Sequence, residues 1–541
     1  MKIALRSQLR SCEGGVMAAS RRFRPVVLIL LAATVAVAPS ASGARAAAGA
    51  QTLVVASTAD GYYENPKLPS IGKYPTNANI FETLVRMTPN YAVVPDLATR
   101  WQFIPPNTWR FHLRRGVRFQ NGARFDANAV KYTMGRLAAS GSGAYIGIDK
   151  KAAIRSVDPY TVDITPSFPN RRLLEQLVHP ENSIVAPGST PNHPVGTGPF
   201  KFVSYRRNRE IVVQRWDGYW GPKPRLQRIT FKFVPDANAR ALALESGAVE
   251  AAFDIPRESA ATVASHRGLR IARSPVGAYE ALYFDIRGAS GFDLGQDAAI
   301  RQAVELGIDR SVIVKDVWRG NASVIQTMIP PSILGPYAGL VQGFAYNPGQ
   351  AGRILDDDGW KLGGDGIRVK NGRRLSLTLV VGFPNADIHG AMPEAVQAML
   401  RQVGIDLKVV KAPDENTYSS TLSAGQGDLF AEVGNQNDAN PCFLPDLLFY
   451  FKGTSHGDYG YRFGPGGAFD QVIESKCRTG VSEAAAKQGA AQAMRILVDE
   501  QRIVVPVAGV FRIYGLSTKV KGFQPNPSQT NQSWLTVWLA K

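Results

Sequence analysis

Val195-Gly196-Thr197-Gly198-Pro199-Phe200 and, a little further on, Trp216-Asp217-Gly218-Tyr219-Trp220 are the most distinctive part of this chain. Two glycines and a proline set a tight backbone path. Phe200, Phe202 and Tyr205 then open a strand. Trp216, Tyr219 and Trp220 form an aromatic group of the kind that packs a corner between strands. Nothing here supplies a nucleophile with its base or a set of metal ligands, so the segment reads as scaffold for a binding site.

Outward from this stretch, strands and helices alternate. Gln51 to Ala56 reads as a strand, Asn77 to Arg86 as a short helix, and Arg110 to Phe119 and Thr161 to Thr165 as strands. Asp236 caps a helix that runs through Ser246 and ends at Gly247, and Val249 to Phe253 returns as a strand. In the second half Ile300, Ala303, Val304, Gly307 and Ile308 fall at helical spacing. Asp309 caps a further helix with Ile313, Val314, Val317 and Trp318, stopped by Gly320. Leu375 to Val381 is a strand, Glu394 to Val403 a helix ended by Gly404, and Ile405, Leu407 and Val409 alternate as a strand. Ser482 to Gln501 is an Ala-rich helix that feeds the strand Ile503 to Val507. A chain of 541 residues exceeds one core. The fold class is therefore α/β with two lobes, and the cleft between such lobes is the usual place for a small ligand.

The N-terminal residues read as a targeting segment. Arg21, Arg22 and Arg24 precede an apolar run from Val26 to Val37, too short to span a bilayer comfortably, and Ala46-Ala47-Ala48 supplies an A-x-A-type cleavage signal. Residues 1–48 are thus expected to be a signal peptide, with 1–16 an upstream extension before Met17. No cysteine follows the apolar run, so the usual lipoprotein anchor is not expected, and the location is periplasmic, secreted or cell-surface. The formal net charge is +18, and setting aside residues 1–48, with seven basic residues and one acidic, leaves +12. The charge is scattered: Arg110, His112 and Arg114 alternate with Trp109, Phe111 and Leu113 and read as a solvated face, with Arg118 beyond. No nucleic-acid-binding motif accompanies it.

Of the three cysteines, Cys12 lies in the targeting segment. Cys442 and Cys477 are expected to pair in an oxidising compartment, a closure worth about 3–4 kcal/mol by the chain-entropy model. Two buried free thiols are the alternative.

Four blocks resemble the extracellular solute-binding protein family 5, the peptide- and nickel-type binding proteins of ABC importers. The first runs Pro95-Asp96-Leu97-Ala98-Thr99-Arg100-Trp101, then Trp109 to Phe119, Asn121-Gly122 and Phe125-Asp126-Ala127. The second is Val195 to Trp220. The third is Ile300-Arg301-Gln302-Ala303 with Gly307-Ile308-Asp309-Arg310 and Gly320. The fourth is Gly404-Ile405 followed by Gly427-Asp428-Leu429. The resemblance implies a two-lobed periplasmic-binding-protein fold, class II-like, with three domains and a hinge. Residues 49–85, 195–284 and 512–541 would form the lobe I core, 86–194 its accessory domain and 285–511 lobe II. It further implies a non-enzymatic, monomeric protein without a cofactor, which captures a short peptide or other small polar ligand and presents it to an ABC permease and ATPase.

The family's Trp-x-x-Asp segment, whose aspartate holds a ligand ammonium, is similar to Asn435-Gln436-Asn437-Asp438, with Asn435 in place of the tryptophan. Asn435, Gln436, Asn437 and Asp438 are therefore the first ligand-binding candidates. The others are Tyr62 and Tyr63 after the first strand, and Phe383 and Asn385 beyond Leu375 to Val381, where ligands of α/β sheets gather. His179, His389 and His456 stand alone in sequence and read as structural. Arg171 and Arg172 could clamp an anion but read first as solvated surface. Gly453-Thr454-Ser455-His456-Gly457 matches G-x-S-x-G, so a secreted serine hydrolase using Ser455 is the enzymatic alternative. A Gly-rich loop follows where a helix would be needed. A sensor that docks on a membrane signalling protein is the third reading.

Overall fold

A computed structural model describes residues 51–58, 77–141, 143–190, 192–288, 292–294, 297–383, 386–450, 467–480, 482–528 and 532–541. Tyr62, Tyr63, Asn385, Ser455 and His456 lie outside them, as does the expected signal peptide.

Two mixed sheets organise the chain. The first has seven strands in the order Leu269–Arg273, Ile513–Ser517, Ala251–Ala252, Thr52–Ser57, Arg228–Phe233, Glu210–Arg215 and Phe200–Arg206. Thr52–Ser57 runs parallel to both of its neighbours, and the rest pair antiparallel. Its apolar face buries Leu53, Val55, Phe231, Phe253 and Trp534, with Phe253 stacked on Trp534 at 5.9 Å. The second has six strands, Ala322–Ser323, Val504–Val510, Ala278–Phe284, Leu429–Asn435, Ser376–Phe383 and Asp406–Lys411. The helices Ala298–Gly307 and Met392–Gln402 bury Ile300, Ala303, Val304, Val396 and Leu400 in the core of this second sheet. Gly307 has Leu400 at 3.1 Å from where a Cβ would stand, which is why the apolar spacing there includes a glycine.

A four-stranded antiparallel sheet, Ala98–Ile104, Thr108–Leu113, Thr161–Thr165 and Ala153–Asp158, is attached to the first lobe. Its helix Ala127–Ser140 starts at Asp126, whose carboxylate accepts from the amides of Asn128 and Ala129, and stops at Gly141 with φ +80°.

The chain passes between the two large sheets at residues 274–277 and again at 511–512. Ala278–Phe284 is flanked on both sides by strands of the second sheet. This corrects the expected border after residue 284: a strand carrying Tyr279, Glu280 and Tyr283 does not read as a buried centre, yet every residue in it is buried.

Two element assignments are also corrected. Only Asn77–Ile80 of the expected helix to Arg86 is helical, because Val85–Met87 pairs instead with Val93–Pro95. The strand expected to reach Phe119 ends at Leu113, since Gly116 at φ +78° turns the chain. The expected alternation of bases holds: Phe111 and Leu113 are buried, Arg110, His112 and Arg114 stay partly exposed and Arg118 is exposed. On that face Arg110 pairs with Asp163 at 2.7 Å, and Arg114 lies 4.2 Å over the Trp220 ring.

The Gly-Thr-Gly-Pro run is held against the end of the short helix Asn77–Ile80. Gly198 donates to the Ile80 carbonyl, and Gln120 Nε2 bonds the carbonyls of Ile80, Gly198 and Phe200. A Cβ on Gly196 would stand 2.1 Å from the Ile80 oxygen. The aromatic corner closes on Glu82: Tyr219 Oη donates to Oε1 at 2.7 Å and Trp220 Nε1 to Oε2 at 2.8 Å.

Candidate functional site

The loop that leaves Leu429–Asn435 begins beside the first crossing between the sheets. Gly434 permits it, since a Cβ there would meet the Tyr279 hydroxyl at 2.2 Å. Asn435 Oδ1 accepts from Arg512 Nη2 at 2.9 Å, and the Gln436 amide donates to the Gly277 carbonyl at 2.8 Å. Gln436 Nε2 bonds the Asp438 carbonyl, Asp438 Oδ1 and the Asn440 carbonyl at 3.1, 3.1 and 2.9 Å. Asp438 Oδ1 also accepts from the Asn440 amide at 3.0 Å, and Asn440 Oδ1 accepts from the Cys442 amide at 3.0 Å. These side-chain bonds to nearby backbone make the loop a self-supporting platform. Its far end is anchored by the disulfide between Cys442 and Cys477.

This platform meets the first lobe at the short helix Leu173–Gln176. The Ala439 amide donates to the Glu175 carbonyl at 3.3 Å. Arg172 Nη1 bonds Glu175 Oε1 at 2.8 Å, and Arg172 Nη2 reaches the carbonyl of Gly480, three residues past the disulfide, at 3.5 Å. Arg172 is therefore buried between the lobes, a correction to its reading as solvated surface. Nothing in the local sequence sets this pair apart from an ordinary surface i, i+3 ion pair, so only the fold reveals its burial. Arg171 lies 3.6 Å over the Phe103 ring.

Asp438 is 2% exposed. Burial pushes its carboxyl well above the usual carboxylate range, the neighbouring Glu175 adds to the rise, and the Asn440 amide and Gln436 oppose it. Burial likewise raises Glu175, opposed by Arg172. The site thus holds two carboxyls from opposite lobes and one guanidinium. It can take a hydrogen-bond donor or a positive charge between them.

The structure brings Asn435, Gln436 and Asp438 together with Arg512, Arg172 and Glu175. Asn437 is half-buried in the same loop. Phe383 ends Ser376–Phe383, its backbone in register with Glu432. The described histidines stand apart from the loop. His389 is buried with Nδ1 2.8 Å from Glu280 Oε1, and Glu280 Oε2 accepts from Trp318 Nε1 at 2.7 Å. His179 Nδ1 accepts from the Glu181 amide. A separate cavity of about 510 Å³ in the first lobe is lined by Glu82, Arg86, Asp96, Arg114 and Trp220 and shares no residue with the loop.

The sequence matches the family model "Bacterial extracellular solute-binding proteins, family 5 Middle" over residues 92–455. It is 27% identical over 415 residues to the nickel-binding periplasmic protein of Escherichia coli K12, covering 73% of this chain and 77% of that one. It is 32% identical over 312 residues to the glutathione-binding protein GsiB of Salmonella paratyphi A, covering 56% of this chain and 57% of that protein's length. In three dimensions it is similar to NikA from Brucella suis in complex with Fe(III)-EDTA, with a TM-score of 0.78 at 24% identity, covering 90% of this chain and all of that one. It is also similar to the periplasmic binding protein DppA from Helicobacter pylori in complex with the peptide STSA, with a TM-score of 0.70 at 21% identity over 91% of this chain and 98% of that one. The two-lobed fold expected from the sequence is the fold of these structures.

Proposed function

The chain belongs to family 5 of the bacterial extracellular solute-binding proteins, and we propose that it captures a small polar solute, a short peptide or a molecule like one, between its lobes and delivers it to an ABC permease and ATPase. One observation carries the ligand site: Asp438, on a loop of one lobe, is buried beside Glu175 of the other, to which Arg172 is bonded. A solute held there touches both lobes only when they are closed. Its differential affinity for that state therefore drives closure, and closure is what a membrane partner can read. Residues 274–277 and 511–512 serve as the hinge.

Relatives named for nickel, glutathione and peptide binding support a binding role rather than catalysis. Export to the periplasm or cell surface is supported by the basic, apolar and small-residue pattern of residues 21–48 and by relatives named as periplasmic. Among the described residues no helix is long and apolar enough to cross a membrane.

The test is thermal-shift screening of purified protein against trialanine, glutathione, sugars, opines and metal chelates, followed by titration of any hit against Asp438→Ala. A hit weakened at least tenfold, about 1.4 kcal/mol, by the substitution is the expected result. Unchanged affinity removes Asp438 from the site. A well-folded protein stabilised by no solute overturns the transport reading.

A further inference from the structure

We propose that Arg257 of the first lobe is a closing clasp: it seats in a socket of the second lobe made by Trp318, Ile388 and Gly390, and by holding the lobes together it sets the affinity for every captured solute without touching any of them. The inference rests on the solute-binding reading above and deepens it.

The clasp crosses between the lobes. Arg257 lies between Ala251–Ala252 of the first sheet and the helix Ala260–Ser265, whose Ala260 and Val263 are buried in the first lobe with Ala252 and Ile513. Its backbone therefore belongs to the first lobe, and its Nε stays there, 3.1 Å from Glu258 Oε1. Its Nη2 instead donates to the Ile388 carbonyl at 3.0 Å, and the guanidinium carbon stands 4.2 Å from the centre of the Trp318 ring. Both partners belong to the second lobe. Trp318 packs in the core of the second sheet, and Ile388 lies between the strand Ser376–Phe383 and the helix Met392–Gln402. The Arg257 side chain is 11% exposed. A cation over an aromatic ring is held more strongly once it is taken out of water in this way.

The socket does not depend on Arg257 for its shape. Buried Glu280, on Ala278–Phe284, accepts from Trp318 Nε1 at 2.7 Å with one oxygen and lies 2.8 Å from His389 Nδ1 with the other. All three groups are in the second lobe, so the ring and the Ile388 carbonyl keep their places when the lobes part. Gly390 leaves the room: its φ is +57°, and a Cβ there would stand 2.5 Å from Arg257 Nη2. None of these residues belongs to the loop 435–440.

The grip is bounded. Among the described residues the guanidinium makes one hydrogen bond to the second lobe, and its Nη1 is a buried donor with no hydrogen-bond partner. An unmatched buried donor offsets part of what the ring and the carbonyl contribute. The clasp thus biases the lobes toward closure and leaves opening within reach. A solute that binds the closed lobes is then held in proportion to the closed fraction, whatever its chemistry.

The experiment is calorimetric titration of the wild-type protein, Arg257→Ala, Arg257→Lys, Gly390→Ala and the Arg257→Ala/Gly390→Ala pair with trialanine, glutathione and Fe(III)-EDTA, alongside small-angle scattering of the solute-free proteins. Arg257→Ala should weaken every solute that the wild type binds by one common factor, about three- to tenfold. Arg257→Lys, which keeps a cation over the ring, should recover about half of that loss. Gly390→Ala, which crowds the guanidinium out, should weaken binding similarly and add nothing once residue 257 is alanine. Factors that differ by more than about threefold between solutes make Arg257 a solute contact and overturn the clasp, as do unchanged affinities or additive losses from the two substitutions. Binding of none of the three solutes counts against the solute reading, and scattering then decides the clasp: a larger radius of gyration for Arg257→Ala supports it, and an unchanged one overturns it. Arg257→Ala and Arg257→Lys carry the test should Gly390→Ala fail to fold.

Discussion

Ser274 and Arg512 hold each other by reciprocal hydrogen bonds: the Ser274 amide donates to the Arg512 carbonyl at 3.1 Å, and the Arg512 amide donates to Ser274 Oγ at 3.0 Å. These are the two places where the chain crosses between the sheets, so the crossings move as one unit. From there the Arg512 side chain reaches Asn435 of the second lobe at 2.9 Å and Asp254 of the first at 3.5 Å.

A guanidinium that bonds both lobes favours the closed state. Arg512→Ala is expected to enlarge the radius of gyration of the unliganded protein in small-angle scattering and to weaken any solute found by the screen about five- to tenfold, since the closed fraction falls. An unchanged radius with unchanged affinity removes Arg512 from the closing contacts.

Two glycines of similar appearance in the sequence have opposite roles. At Gly196 a Cβ would stand 2.1 Å from the Ile80 carbonyl oxygen and 2.7 Å from Phe81, neither of which can withdraw. Gly196→Ala should cost about 2–4 kcal/mol in urea unfolding. Gly135 lies exposed in Ala127–Ser140 with open space around the same position. Gly135→Ala should stabilise by roughly 0.5–1 kcal/mol through helix propensity. The same sign for both substitutions would contradict the packing described for the Gly-Thr-Gly-Pro run.

Burial raises Glu82 to about 7, with the bonds from Trp220 and Tyr219 opposing the rise. Burial, and then the Glu82 charge, also pushes Asp96 well above the carboxylate range. A raised acid binds more protons folded than unfolded, so stability falls as pH climbs from the unfolded value near 4.5 through about 7 and then levels for this group. Urea midpoints between pH 5 and 8 should show this decline, and Glu82→Gln should flatten it. An identical slope in the variant would place the effect elsewhere. Glu82→Ala, which leaves the Tyr219 hydroxyl and the indole N–H without their acceptor, should cost about 2–4 kcal/mol.

Closing the Cys442–Cys477 loop, whose ends are 35 positions apart in sequence, should contribute about 3–4 kcal/mol. Urea unfolding with and without reductant measures it directly. Because the bridge holds Gly480 near Arg172, Cys442→Ser/Cys477→Ser should also weaken solute binding, whereas an unaffected Kd would mean the loop 435–440 keeps its shape alone.

Much of this architecture was legible because it rests on local chemistry. Asp236, Asp309 and Ser482 cap helices where their side chains predict it, and Gly247, Gly320 and Gly404 end elements at positive φ. What failed depended on distant partners. Val85 joins a strand although its neighbours favour helix, because Val93–Pro95 offers a ladder. The buried centre Ala278–Phe284 was hidden by Glu280, whose carboxyl lies 2.8 Å from Nδ1 of His389, more than a hundred residues away. The motif singled out Asp438 alone, whereas Glu175, which the fold brings beside it, and Arg172, which pairs with Glu175, belong to no motif.

Gln51 Nε2 donates to the Leu539 carbonyl and Gln51 Oε1 accepts from the Leu539 amide, 488 residues apart. The first sheet inserts Ile513–Ser517 between Ala251–Ala252 and Leu269–Arg273, and the second inserts Val504–Val510 beside Ala278–Phe284. A chain delivered from its N-terminus can complete neither sheet until residues beyond 504 have arrived. Pairings of such long separation are slow to form, so the polypeptide stays without a finished core through nearly all of its synthesis. Here the strand order itself postpones folding until almost the whole length has been made, so this chain leaves its final tertiary commitment to its last few dozen residues.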